Sequence, residues 1–196
     1  MKIGVLAVQG GFASHVRALE FFGHQAKEVK TPNQLSQIDA LIIPGGESTT
    51  MLKLISTEFE DQIISFAKEG HGLLGTCAGL ILIAEKVLNP SQRSFALLPL
   101  TVERNAFGRQ INSFVTDKIQ AHPTISKSTM EGTFIRAPRI TKITQDVKII
   151  ASYENEPVAV QLNKIFGFTY HPELTPEKSK LIYEYVFNSW KSTPNV

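Results

Sequence analysis

Apolar and polar positions along this chain switch between two rhythms. Residues 3–8 form a short apolar run read as a first strand, and the stretch from about 14 to 22 repeats with helical period. Residues 40–43 read as a central strand that runs into Pro44-Gly45-Gly46-Glu47-Ser48-Thr49-Thr50. A helical stretch continues to about residue 70, and residues 71–74 read as the next buried strand. Between about 100 and 168 the pattern becomes short strands separated by polar turns, expected to extend the sheet antiparallel. A last amphipathic helix is expected over about 176–190, with Leu181, Ile182, Tyr185, Val186 and Trp190 on its packed face. Strands that alternate with helices predict an α/β fold. The expected architecture is an open, mostly parallel sheet with helices on both faces and an antiparallel extension.

Length and composition limit what such a chain does. At 196 residues, 42% apolar and 19% charged, it fits one domain spanning 1–196 with a full-sized core. A net charge of +2 without a dense Lys/Arg stripe argues against a nucleic-acid partner. A single cysteine cannot form an intramolecular disulfide, which suits a reducing compartment, and the expected location is the cytoplasm. The first apolar stretch is too short for a signal peptide or a membrane span.

The candidate chemistry starts at that cysteine. Cys77 lies in Gly75-Thr76-Cys77-Ala78-Gly79, between Leu73-Leu74 and the apolar run of residues 80–84. Gly-x-nucleophile-x-Gly is the pattern of a tight strand-to-helix elbow, where small flanking residues avoid clashes across the bend. A small buried core cysteine is the alternative. A cysteine nucleophile needs a base, and the base an orienting group. His171 ends the strand at 165–168 and is followed by Pro172-Glu173, so a carboxylate two residues on can reach the imidazole. By itself that tripeptide also fits a surface histidine beside a turn. The paired glycines of the Pro44–Ser48 segment allow backbone N–H groups near a ligand. Gly46, with the amide of Ala78, is the candidate oxyanion hole. The alternative is a glycine turn with Ser48 capping the next helix. No lysine follows these glycines as in a phosphate loop, and no metal-ligand spacing is present.

Five segments recur in a recognisable order. They are Pro44 to Thr50, Gly75-Thr76-Cys77-Ala78-Gly79-Leu80, Val102-Glu103-Arg104-Asn105-Ala106-Phe107-Gly108-Arg109-Gln110, Phe134-Ile135-Arg136-Ala137-Pro138 and His171-Pro172-Glu173-Leu174. Together they resemble the glutaminase subunits of pyridoxal 5′-phosphate synthases, a family of class I (triad) glutamine amidotransferases with a flavodoxin-like sheet. The resemblance implies hydrolysis of L-glutamine to glutamate and ammonia, without a cofactor. The ammonia would pass to a separate synthase (lyase) subunit. It also implies Cys77 as nucleophile, His171 as general base and acid, and Glu173 as the orienting carboxylate. Gly46, Glu47, Ser48, Arg104, Ile135 and Arg136 would line the glutamine site. A γ-glutamyl hydrolase, an amidotransferase subunit of another synthase and a non-catalytic regulatory subunit remain as alternatives. One departure stands out. Where the family carries a Glu-His pair after Gln9-Gly10, this chain has Ser14-His15, and Ser14 is a candidate cap of the first helix.

Overall fold

The computed structural model describes residues 1–104, 106 and 113–192; Asn105 and residues 107–110 of the third quoted segment lie outside them. In chain order the first half runs β1 (Lys2–Leu6), α1 (Phe12–Phe21), β2 (Gln25–Val29), β3 (Ala40–Ile43), α2 (Ser48–Leu54), α3 (Thr57–Lys68), β4 (Gly72–Thr76) and α4 (Ala78–Ile83). The second half runs β5 (Ala84–Leu88), β6 (Leu98–Glu103), β7 (Phe114–Ala121), β8 (Thr129–Phe134), β9 (Arg139–Ile143), β10 (Lys148–Tyr153), β11 (Glu156–Leu162), β12 (Ile165–Phe168) and α5 (Lys180–Lys191).

Nine strands form one sheet in the order β2-β1-β3-β4-β12-β11-β10-β7-β8. The first five are parallel to one another, and the rest continue antiparallel. Strands β3 and β4 are buried along their whole length, as strands covered on both faces must be. Their side chains alternate between two cores. Ile3, Val5, Ala40, Ile42, Leu74 and Phe168 pack with α1 and α5. Leu6, Leu41, Ile43 and Leu73 pack on the other face with α2, α3 and α4. Helices therefore cover both faces, as the alternation of elements predicts. Ile43 pairs with Gly75, and Phe168 with Thr76, so β3, β4 and β12 end level with one another. The loops that follow them meet at the carboxyl edge of the sheet, the place where open α/β sheets bind ligands.

Several elements differ from the sequence reading, each for a physical reason. Strand β2 is polar at most positions because it is the sheet edge and buries only Val29 fully. The helical stretch after residue 48 is two helices, separated where Ser56 caps α3 by accepting from the Phe59 amide at 3.2 Å. Not all strands after residue 98 extend the main sheet, because β5, β6 and β9 pair into a second, three-stranded one. Helix α1 begins at Phe12 after Gly11, so Ser14 lies inside it rather than capping it; its hydroxyl accepts from Arg17 at 3.0 Å. Helix α5 begins at Lys180, and its buried stripe is Ile182, Tyr183, Val186, Phe187 and Trp190, while Leu181 is 46% exposed. Trp190 fixes that rotation by packing its ring onto Gly72, where a Cβ would lie 2.5 Å from the indole.

This rotation is testable by chemical denaturation. Ile182→Ala is expected to cost about 2–5 kcal/mol of unfolding free energy. Leu181→Ala should stay within about 0.5 kcal/mol. Equal losses at both positions would mean that the helix faces the sheet as the sequence reading placed it.

Candidate active site

Cys77 sits at the bend between β4 and α4 with φ 49° and ψ −104°, a left-handed conformation that a side chain adopts only under strain. The bend closes because its neighbours lack side chains. A Cβ on Gly75 would lie 2.6 Å from the Gly79 backbone, and one on Gly79 would lie 2.0 Å from the Ile43 carbonyl oxygen. The Cys77 amide donates to the Phe168 carbonyl at 2.8 Å, which ties the bend to the end of β12. The thiol donates to the Ile135 carbonyl across a loose 3.7 Å.

His171 lies three residues beyond β12, and its backbone amide donates to Thr133 of β8 at 2.8 Å. Its ring packs on Gly45, where a Cβ would come within 2.3 Å of Cε1. Nδ1 lies 2.7 Å from Glu173 Oε1. An ionised carboxylate only accepts, so this contact assigns the proton to Nδ1 and leaves Nε2 as the basic nitrogen. The spacing of two residues brings the pair together, but not along an extended strand. Pro172–Leu174 is a short 3-10 turn with His171 at its start. Nε2 is buried without a hydrogen-bond partner among the described residues.

Burial opposes charge on both members of this pair, and their mutual attraction outweighs it. For His171, burial disfavours the imidazolium, yet nearby Cys77 and the hydrogen bond and charge of Glu173 lift it to about 10. For Glu173, burial pushes the carboxyl up. His15 and His171 overcome that and hold it well below the usual carboxylate range. His15 is a contact that sequence reasoning did not assign. It is fully buried on α1, its Nε2 3.0 Å from Thr76 Oγ1 and 3.3 Å from Glu173 Oε1.

A cavity of about 490 Å³ opens above these groups. Every residue named from the sequence lines it: Gly46, Glu47, Ser48, Cys77, Ala78, Arg104, Ile135, Arg136, His171 and Glu173. The helix cap is Glu47 rather than Ser48. The Glu47 carboxylate accepts from the amides of Thr49 and Thr50, and from the Thr50 hydroxyl at 2.7 Å. Hydrogen bonds from Thr49 and Thr50 hold it down to about 2. Ser48 instead donates its hydroxyl to Gln92 at 2.9 Å. Arg104 donates to Glu47 at 3.1 Å, which sets one cation and one anion side by side on the cavity wall. Gln9 was also unassigned. It lines the cavity and accepts from the Glu47 amide at 3.0 Å, and its place in the loop three residues beyond β1 was the available signal. Among the described residues no group of three or more His, Cys, Asp or Glu side chains is placed to hold a metal ion. No helix among them is long and apolar enough to cross a membrane.

The sequence matches the SNO glutamine amidotransferase family over residues 5–191. This chain belongs to that family. It is 43% identical over 178 residues to the pyridoxal 5′-phosphate synthase subunit PdxT of Thermotoga petrophila, covering 90% of this chain and 94% of the relative. It is 42% identical to the subunit of the same name from Anoxybacillus flavithermus, with 98% of each chain covered. A crystal structure of a glutamine amidotransferase superposes with a TM-score of 0.88 at 38% identity, covering 97% of this chain and 99% of the other. PurLQS from Thermotoga maritima, at 18% identity and a TM-score of 0.73, shares the fold. The family's α/β sheet thus carries the cavity at its carboxyl edge.

The His171–Glu173 pair makes stability depend on pH in a defined direction. His171 is raised above its ordinary 6.5, so its contribution is complete below pH 6.5 and fades as pH rises toward about 10. Glu173 is lowered from 4.5, so its contribution is complete above pH 4.5 and fades as pH falls below it. The stability gap between the native chain and His171→Gln, followed by denaturation from pH 5 to 10, should be largest near the acid end. It should shrink steadily as pH rises, whereas a constant gap would contradict the pairing.

Proposed function

We propose that this chain hydrolyses L-glutamine to L-glutamate and ammonia through a thioester on Cys77, and passes the ammonia to a pyridoxal 5′-phosphate synthase subunit. The observation that carries this reading is the juxtaposition of Cys77, His171 and Glu173 on one cavity, in a chain so similar to synthase subunits of that name.

The chemistry follows from the placement. The Cys77 thiol leaves its loose contact with Ile135 and its proton passes to Nε2 of His171, which forms the thiolate–imidazolium pair that the raised proton affinity of His171 favours. The sulfur attacks the side-chain amide carbon of glutamine, and the backbone amides of Gly46 and Ala78 take the oxyanion. As the tetrahedral adduct collapses, the His171 imidazolium protonates the departing nitrogen, which leaves as ammonia. Water then gives a proton to the same nitrogen and attacks the thioester, which releases glutamate and restores the thiol. Glu173 holds the Nδ1–H tautomer throughout and offsets the charge that Nε2 gains.

Recognition of the amino-acid end falls to charged groups on the cavity wall. Glutamine carries an α-ammonium and an α-carboxylate, and Glu47 beside Arg104 presents the complementary charges. Ser48, Ile135 and Arg136 complete that wall. Ammonia released into bulk water near neutrality becomes mostly ammonium and loses its nucleophilicity, which favours direct delivery to a partner. A lone reduced cysteine as nucleophile fits the cytoplasm.

Ammonia release from L-glutamine, measured with and without the synthase subunit, tests the reading. In the assembled complex Cys77→Ala should lower the rate at least ~1,000-fold, as loss of a nucleophile does. Retained activity in that variant, or faster turnover of γ-glutamyl peptides than of glutamine, would overturn it.

A further inference from the structure

The Glu173 carboxylate is held from two sides. His171 Nδ1 approaches Oε1 at 2.7 Å, and His15 Nε2 approaches the same oxygen at 3.3 Å. Oε2 has no hydrogen-bond partner among the described residues. Among the described residues the contacts of the Glu173 carboxylate are those to His171 and His15. The orientation of the carboxylate toward His171 therefore depends on a residue elsewhere in the chain.

We propose that His15 is a positioning residue of this site, whose Nε2–H holds Glu173 against His171 and links it to Thr76, the residue before the nucleophile. The inference rests on the glutaminase reading above. Two further observations support it. His15 is fully buried, and a buried imidazole without partners is costly, so the contacts at 3.0 Å to Thr76 and 3.3 Å to Glu173 account for its place in the core. The acceptor-only carboxylate assigns the proton to Nε2, which matches a buried Nδ1 left without a partner: an unprotonated nitrogen loses less there than an N–H would. His15 also does not line the cavity, so it acts through Glu173 rather than on substrate.

The link joins α1 to both halves of the reacting pair. Thr76 is the last residue of β4 and fixes the approach to Cys77, while Glu173 fixes His171. One imidazole thus sets the two sides at a constant separation. The other ionisable groups around the carboxylate are His171, the Tyr170 phenol beyond β12 and the Tyr183 phenol of α5. Burial and the Glu173 charge keep both phenols protonated well past their ordinary range.

Steady-state kinetics of the full chain with its synthase subunit test the proposal. His15→Met should lower kcat about 10- to 100-fold, the usual loss when a group that orients a catalytic imidazole is removed. KM should stay within about 3-fold, because no substrate contact is lost. The acid limb of the pH profile should move to higher pH, since Glu173 loses a donor that keeps it ionised. His15→Gln, whose amide reaches where Nε2 lay, should recover most of the rate. In a Glu173→Gln background, adding His15→Met should cost less than about 3-fold, because the two act as a unit. Equal losses in both backgrounds, an unchanged kcat, or a loss confined to KM would overturn the proposal. If His15→Met does not fold, nitrogen NMR of the histidine-labelled native chain decides it: a proton on Nε2 of His15 supports the link, and one on Nδ1 overturns it. A native complex that releases no ammonia from glutamine would instead sink the glutaminase reading, and the NMR result would still stand.

Discussion

A Cβ on Gly79 would lie 2.0 Å from the Ile43 carbonyl oxygen, and one on Gly45 would lie 2.3 Å from Cε1 of His171. No rotamer change relieves the first clash, because the backbone fixes where a Cβ lies and the neighbour is a backbone carbonyl. These two absences of a side chain let the ends of β3, β4 and β12 converge. The thiol, the imidazole and the glycine loop then occupy one small volume. The strain this requires is visible at Cys77, whose φ of 49° places a β-carbon in the left-handed region. The fully buried parallel strands on either side keep that strain from relaxing.

Electrostatics take over where sterics end. Glu173 and His171 are both buried, and each alone would be driven neutral. Paired at 2.7 Å they stay charged together, in line with the rule that buried charges persist only when matched. The same rule explains Glu47 and Arg104 on the cavity wall. There the helix start supplies the carboxylate with amide donors, and the guanidinium lies beside it. The site therefore sets one ion pair beside Cys77 and another on the cavity wall.

Much of this was legible from local pattern. The strands at 40–43 and 165–168 stood out because both are short apolar runs bounded by turn residues, and the elbow at Cys77 because its glycines have fixed spacing. What escaped reading depends on distance in space. Leu181 and Tyr183 are both apolar enough for a helix face, and only Trp190 packing on Gly72 decides which is buried. Glu47 displaced Ser48 as helix cap because its longer side chain folds back onto two amides, a choice that residue preference alone does not make. His15 meets Glu173 across 158 positions of chain, a contact that only the doubly wound topology creates.

The proposed glutaminase chemistry requires that Cys77, beside the His171–Glu173 pair, form a covalent bond to the glutamyl group. Rapid acid quench of the complex during glutamine turnover, followed by mass spectrometry of the intact chain, measures this most directly. An added mass of one glutamyl group is expected on the peptide that carries Cys77, and none in Cys77→Ala. Full turnover with no adduct on that peptide, or an adduct on another residue, would contradict it.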